Sequence, residues 1–359
     1  MSLLIAACAA GLALGQSGWG ENDGSLGTFP YDPVELAESG REVVGAESIA
    51  VNRYGYRYRF VSADGRLRFM SDPERFEIQL GGGCGSMGPL SGRGDLRRFA
   101  VHDGRIYVFA SDGCKARFLS MPEKLVDRDD PKPSFDRSPA EAGKKLLEKL
   151  AAWCGGAERI DAAEWYREVV EQVVASGGQN YDNKRVFAVR HPDGIFRSDA
   201  WNKDVWTMTA ERNDGTFRRP DGTVQPMNPV QARALERIRD HRLFWILKAR
   251  KHADFVAGRD ADDGGQARLR VWFGGSASTI RLDPDSGKPA SIEFVGRGPG
   301  AMVGQVKLEF TEFAQAGGLR LPSAWTGTFD GKPSEAVALK GAKIFLDGDG
   351  VKLAPPQKG

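Results

Sequence analysis

The chain is poor in several things that would have pointed to a function directly. Its 359 residues carry 50 basic against 48 acidic side chains, a formal charge of +2. No charge excess argues for nucleic acid or an anionic membrane surface as the main partner. The apolar stretch at the N-terminus, Met1 to Leu14, falls short of the about 20 residues a membrane span needs. No Gly-x-Gly-x-x-Gly follows a predicted strand and no P-loop is present, so the common nucleotide cradles are missing. Neither His-Glu-x-x-His nor a Gly-x-Ser-x-Gly nucleophile elbow occurs, and Gly274-Gly275-Ser276-Ala277-Ser278 reads as a hairpin turn. With no catalytic constellation in view, the chain is expected to be non-enzymatic. Cysteine and histidine are scarce, at four each.

What is present fits a soluble globular chain of two or three domains, with 41% hydrophobic and 27% charged residues. Forty-five glycines suit a chain rich in turns and strands. The N-terminus, MSLLIAACAAGLALG, resembles a secretory signal peptide over residues 1–15, with Ala13-x-Gly15 at its exit. A competing reading takes Leu4 to Cys8 as a lipobox with Cys8 lipidated. Either implies an exported protein of the periplasm or outer-membrane periphery. In an oxidising compartment Cys84, Cys114 and Cys154 make an odd set, so one stays free, pairs between chains or binds metal.

An internal repeat follows. Arg59-Phe60-Val61-Ser62-Ala63-Asp64-Gly65 aligns with Val108-Phe109-Ala110-Ser111-Asp112-Gly113-Cys114, each after a predicted hairpin and at the start of a short helix. Asp72-Pro73-Glu74 matches Met121-Pro122-Glu123. The period is about 50 residues, and two copies make a tandem pair, not a solenoid. Residues 127–137 are charged and Pro-rich and read as a linker. Ser138-Pro139-Ala140-Glu141 then reads as a helix start, with Leu146, Leu147 and Leu150 on one face and Gly155-Gly156 as the stop. Ala163 to Val174 could be helix, but Gly177-Gly178 and the strand-like Lys184 to Arg190 favour a hairpin. Turn signals at Asp193-Gly194, Asn213-Asp214-Gly215 and Asp221-Gly222 separate further strands. One helix is expected from about Val230 to Ala253, broken by Asp260 to Gly265. A meander of strands occupies the rest to Leu346.

Both N-terminal units resemble YHS/TRASH domains, small ββα modules. The first has Tyr31-Asp32-Pro33-Val34, Tyr58-Arg59-Phe60 and Asp72-Pro73-Glu74-Arg75-Phe76, and the second Tyr107-Val108-Phe109-x-Ser111-x-Gly113-Cys114. Metal-binding members carry an early cysteine and a later Cys-x-x-x-Cys. Here Cys84 and Cys114 match the outer two, Ala110 stands at the middle one, and the first unit has none. The resemblance implies a copper or zinc site at Cys84 and Cys114, supplemented by His102, Met87 or Asp112. The alternative is a Cys84–Cys114 disulfide, or plain burial, in a structural or interaction protein. His102, ahead of Asp103-Gly104 at a hairpin tip, is either a ligand or a solvated residue.

The second half resembles the LolA-like half-barrel of lipoprotein carriers. The resemblance rests on Trp153-Cys154-Gly155-Gly156, Asp283-x-x-x-Gly287-Lys288-Pro289 and Gly318-Leu319-x-Leu321-Pro322. It implies a curved antiparallel sheet wrapped on helices, whose concave face holds an acyl chain or another apolar ligand, or is filled as a core. The fold class expected is α+β: units at 29–84 and 85–126, a linker at 127–137 and a half-barrel at 138–353. Partners expected are a metal ion or a hydrophobic, lipid-like molecule, together with an envelope protein. His241 and His252 lie too far apart to chelate one ion, His191 sits at a turn, and Asp260, Asp262 and Asp263 lack the calcium-loop pattern.

Overall fold

The computed structural model describes residues 26–176, 179–192, 194–201, 204–211, 214–333, 337–349 and 351. The leader and Cys8 lie outside them. No helix among the described residues is long and apolar enough to cross a membrane.

The repeat in the sequence is a repeat in the backbone. After a two-residue β1 (Gly27–Thr28) and α1 (Pro33–Ser39), the first unit runs β2 (Ala46–Arg53), β3 (Tyr56–Phe60), α2 (Ala63–Ser71) and α3 (Pro73–Phe76). The second runs β4 (Asp95–His102), β5 (Arg105–Phe109) and α4 (Asp112–Ser120). Both hairpins turn on a non-glycine followed by glycine at positive φ: Tyr54-Gly55 at 47° and 81°, and Asp103-Gly104 at 50° and 67°. That is the geometry two-residue hairpins prefer, because it matches the strand twist. Both helices start on a serine hydroxyl that accepts an N–H three residues on, Ser62 from Gly65 and Ser111 from Cys114. The units are not independent. The segment between them runs beside β5, bridging Ile78 to Ile106 and Cys84 to Val108. Ile106 and Val108 belong to the same core as Phe29, Tyr58, Phe60 and Phe69 of the first unit.

Residues 127–133 do not hang loose as the composition suggested. Asp127 accepts from Arg297 Nε at 2.8 Å, Asp129 from Arg237 at 2.6 Å, and Asp130 from the Ala277 N–H at 2.8 Å. The Asp130 carbonyl accepts from the Trp272 indole at 2.9 Å. The segment is a strap, because its acids meet arginines and backbone donors of the second half.

That half contains α5 (Arg137–Trp153), α6 (Ala157–Ala162) and two seven-stranded antiparallel sheets. Asp136, not Ser138, is the N-cap of α5, without a side-chain bond. The first sheet is the meander β6 (Trp165–Ser176), β7 (Gln179–Arg190), β8 (Gly194–Trp201), β9 (Asp204–Glu211), β10 (Asp214–Arg218) and β11 (Val224–Pro226). The second follows α7 (Pro229–Asp240) and α8 (Leu243–Ala249). It comprises β12 (Val256–Asp263), β13 (Gln266–Phe273), β14 (Ser276–Leu282), β15 (Pro289–Arg297), β16 (Val303–Ala316), β17 (Leu319–Phe329) and β18 (Lys332–Pro333). The last strand, β19 (Val337–Phe345), returns to pair with β6 and lies against β17, so the sheets meet along one edge. Large antiparallel sheets packed on few helices fit the α+β class expected, with the strands divided between two sheets.

The expected helix over 230–253 is two helices. His241 ends α7 and Arg242 is extended, at φ −83° and ψ 129°. No Gly or Pro breaks the chain there. Tertiary contacts do: Asp240 accepts from Ser276 and Arg233, His241 bonds Ser278, and Arg239 stacks 4.3 Å from the Trp245 ring centroid. The break lets α8 turn between the sheets. Its Leu243, Phe244, Ile246 and Leu247 join α5 and the second sheet in one core, and its Trp245 joins the first sheet in another. Asp260 to Asp263 are not a helix breaker but the end of β12, where Asp262 pairs with Arg259 and Asp263 with Arg281.

Candidate ligand-binding cavity

The concave face expected to hold a ligand is mostly filled by α5 and α8. A crevice remains between the sheets beside His241, Arg242, Phe244, Ile292 and Phe310, with a volume of about 30 Å³. That is room for one water-sized group. The larger space lies next to it, at the junction of five parts of the chain, and measures about 570 Å³. It falls in the ~300–1,000 Å³ range of pockets that hold drug-sized molecules. One wall is the loop Met87–Ser91 of the second ββα unit, closed by Asp127 of the strap. Opposite are Arg185 and Arg197 of the first sheet, Ala234, Arg237 and Ile238 of α7, His241 and Arg242 at the break, and Phe294 to Gly298 of the second sheet.

Strand alternation sets the polar wall. On β7 the residues Arg185, Phe187 and Val189 share one face. On β8 their cross-strand partners are Asp199, Arg197 and Ile195. Phe187, Val189 and Ile195 are core, so the two arginines and Asp199 form a polar patch on an inward face. The carboxylate is divided between the arginines: Arg185 Nε donates to one oxygen at 2.7 Å and Arg197 Nε to the other at 2.6 Å. Burial opposes ionisation of Asp199, but the charges and hydrogen bonds of Arg197 and Arg185 outweigh it and hold its pKa at about 2. Burial, and then the charge of Arg185, push Arg197 below its ordinary range, with Arg242 adding to the effect. Arg242 donates to Glu168 at 3.0 Å, and Glu168 also accepts from the Tyr166 hydroxyl at 2.8 Å.

His241 forms part of the floor. Its ring stacks on Phe294 with centroids 4.0 Å apart, and Nδ1 is 2.9 Å from the Ser278 hydroxyl. Burial, then Arg237, Arg242 and Arg233, lower its pKa to about 3, so the imidazole is neutral at physiological pH. Arg297, in contrast, is fully engaged with Asp127 and the carbonyls of Ala301 and Leu125.

The residues singled out from the sequence are divided by the structure. Cys84 and Cys114 are free thiols and not a disulfide. They are neighbours: burial raises the Cys84 pKa, the N–H groups of Ala110 and Ser86 oppose that, and the Cys114 thiol raises it further by charge and hydrogen bonding. His102 is elsewhere. It pairs with Arg105 at the hairpin tip, whereas the Cys84 thiol accepts from the Ala110 N–H at 3.4 Å. At the tip His102 packs edge-on against the Phe118 ring, with centroids 5.8 Å apart. His102 groups instead with Asp103 and Glu123, the one such cluster of at least three His, Cys, Asp or Glu ligand atoms among the described residues. Met87 is 51% exposed and lines the cavity. Two thiols alone do not meet the four-ligand demand of structural zinc; of the two metals, soft monovalent copper suits them. Cys154 is buried in the main core, where desolvation raises its pKa to about 12.

The cavity residues were not singled out in the sequence. Their signal was there, since the alternation in Lys184–Arg190 and Gly194–Trp201 turns Arg185, Arg197 and Asp199 to the side of Phe187 and Ile195.

No protein-family model matches the chain, and no curated protein matches it. Solved structures overlap about half of it. A DUF1329 family protein from Desulfovibrio piger is 12% identical, covering 57% of this chain and 90% of its own, with a TM-score of 0.33. A domain from Vibrio parahaemolyticus named for outer membrane lipoprotein sorting is 12% identical over 55% and 93%, with a TM-score of 0.32. A LolA superfamily protein from Nitrosomonas europaea is 10% identical over 56% and 90%, with a TM-score of 0.35. Two of the three names are those of the group that the second half resembles in layout. At these scores the overlaps carry no functional argument, and the reading below rests on the cavity.

Proposed function

We propose that the protein is a non-enzymatic binding protein of the cell envelope that holds a lipid-like molecule in the 570 Å³ cavity. The observation that carries this is the cavity's apolar wall. Met87, Pro89 and Leu90 face Ala234, Ile238, Phe294 and Val295, contributed by three separate parts of the chain. An apolar chain laid along this wall gains from removal of its surface from water, at about 25 cal/mol per Å² before the costs of association. The envelope assignment comes from the leader-like N-terminus.

The test is displacement of a fluorescent fatty acyl probe from the delipidated protein, beside an Ala234→Trp variant that fills the space. Binding of the probe to the parent and its loss in a folded Ala234→Trp protein is the expected result. Equal binding by both would place the ligand elsewhere and end this reading.

A second reading concerns the adjacent Cys84 and Cys114, which suit a soft ion such as monovalent copper. Anaerobic copper titration that saturates at one ion per chain, and is abolished in Cys114→Ser, would support it. No uptake would leave the pair without a metal role.

A further inference from the structure

The cavity reading leaves the arginines unexplained, and they specify its ligand further. Of the five arginines that line the cavity, Arg237 and Arg297 are taken up by Asp129 and Asp127 of the strap, and the other three, Arg185, Arg197 and Arg242, pair with two carboxylates, Asp199 and Glu168. Arg185 and Arg197 each contact Asp199 through Nε. Their four terminal NH₂ groups have no protein hydrogen-bond partner among the described residues. Arg242 reaches Glu168 through one terminal nitrogen, and its buried Nε has no partner either. Like charges this close are unfavourable: after burial, the charge of Arg185 does most to lower the pKa of Arg197. An arginine set whose outer nitrogens point into a space, unmatched by one negative charge, is built for an oxyanion, because guanidinium forks match the spacing of phosphate and carboxylate oxygens.

We infer that the cavity takes a single-chain amphiphile whose phosphate or carboxylate head sits on Arg185, Arg197 and Arg242 while its chain lies along Phe294. The inference rests on the cavity reading and adds the charge of the head. The size of the space argues for one chain, since 570 Å³ is a pocket for a drug-sized molecule and not for a two-chain lipid. The same donors would recognise a free phosphate ion, so the source of the oxyanion has to be separated by experiment.

Four probes would be measured by calorimetry on the full delipidated protein: dodecyl phosphate, laurate, dodecanol and inorganic phosphate. Charge-assisted hydrogen bonds predict that dodecyl phosphate and laurate bind about tenfold or more tighter than dodecanol. They also predict that this preference shrinks as salt is raised. In Arg185→Gln, which leaves Asp199 paired with Arg197, the preference should collapse to about threefold or less while dodecanol binds as before. Unchanged dodecanol binding shows that the variant still forms the cavity. Arg197→Lys keeps the charge but not the fork, and an intermediate preference is expected. Equal affinity for dodecyl phosphate, laurate and dodecanol would overturn the oxyanion site and leave the apolar cavity standing. Inorganic phosphate binding as tightly as dodecyl phosphate would overturn the amphiphile. Binding of none of the four would remove both readings.

Discussion

Protonation of a single buried ring sets how the molecule answers to mild acid. His241 is 7% exposed and stays neutral until about pH 3 in the folded state, whereas in the unfolded chain it takes a proton near pH 6.5. Between those values the unfolded state binds the extra proton. The stability that His241 contributes is therefore complete above about pH 6.5 and is lost as the pH falls towards 3, by about 1.4 kcal/mol per pH unit. Asp199 acts in a separate window: its pKa, held near 2 instead of the usual 3.8, makes its contribution full above about pH 4 and lost below. Urea unfolding at a series of pH values should show a decline starting near pH 6 that is largely absent in His241→Gln, and a second fall below pH 4 that both proteins share. Identical slopes for the two proteins between pH 6 and 4 would mean that another group controls this range. The polar patch beside His241 was legible as alternation in β7 and β8. What it faces was not, since no local pattern in Arg185 or Arg197 records that α7, a loop about 100 residues upstream and β15 would close over it.

Local elements were read best where a side chain caps or turns the chain by itself. The Tyr31-Asp32-Pro33-Val34 motif is an example with a physical reason. The fully buried Asp32 accepts from the N–H groups of Val34 at 2.9 Å and Glu35 at 3.2 Å, which caps α1. Its other oxygen accepts from the Val61 N–H at 2.8 Å, which ties α1 to the end of β3. Replacing Asp32 by Ala leaves three donors without partners, and a loss of about 3 kcal/mol in urea unfolding is expected. Asp32→Asn, which keeps one acceptor oxygen, should lose about 1 kcal/mol. Equal losses for both would mean that the carboxylate's double bridge is not what holds α1. The hairpin turn at Asp103-Gly104 was legible for the same local reason, whereas Tyr54 and Gly55, which read as strand, form the turn before β3. The break between α7 and α8 was not, because it depends on Ser276 and Ser278 of β14, about 37 residues on. The strand β12 was missed because its polar end, Asp260 to Asp263, reads as a loop until Arg281 of β14 meets it.

At the scale of the whole molecule, the two halves are joined by charge complementarity more than by a shared core. The acids of the strap hold Arg297, Arg237 and the backbone of β14, and Gln231 of α7 donates to the Pro89 carbonyl of the ββα loop at 3.2 Å. These contacts are also the frame of the cavity, because Met87–Ser91, α7 and β15 are its walls. Opening the strap should therefore loosen the junction and weaken the ligand together. The strap carries its own reporter, Arg128, a trypsin site between the two anchored aspartates Asp127 and Asp129. Removing two partly buried anchors, in Asp127→Ala with Asp130→Ala, costs about 1 kcal/mol or more of local stability. When opening is fast relative to cleavage, that corresponds to about fivefold faster cutting after Arg128. Addition of dodecyl phosphate should slow cutting in the parent, because a ligand that binds the closed junction shifts the population towards it. Cleavage at the parent rate in the double variant would show that the strap is held by something other than its acids. Cleavage that rises with no change in probe affinity would show that the walls keep their places without the strap, and would separate the joining of the halves from the building of the cavity.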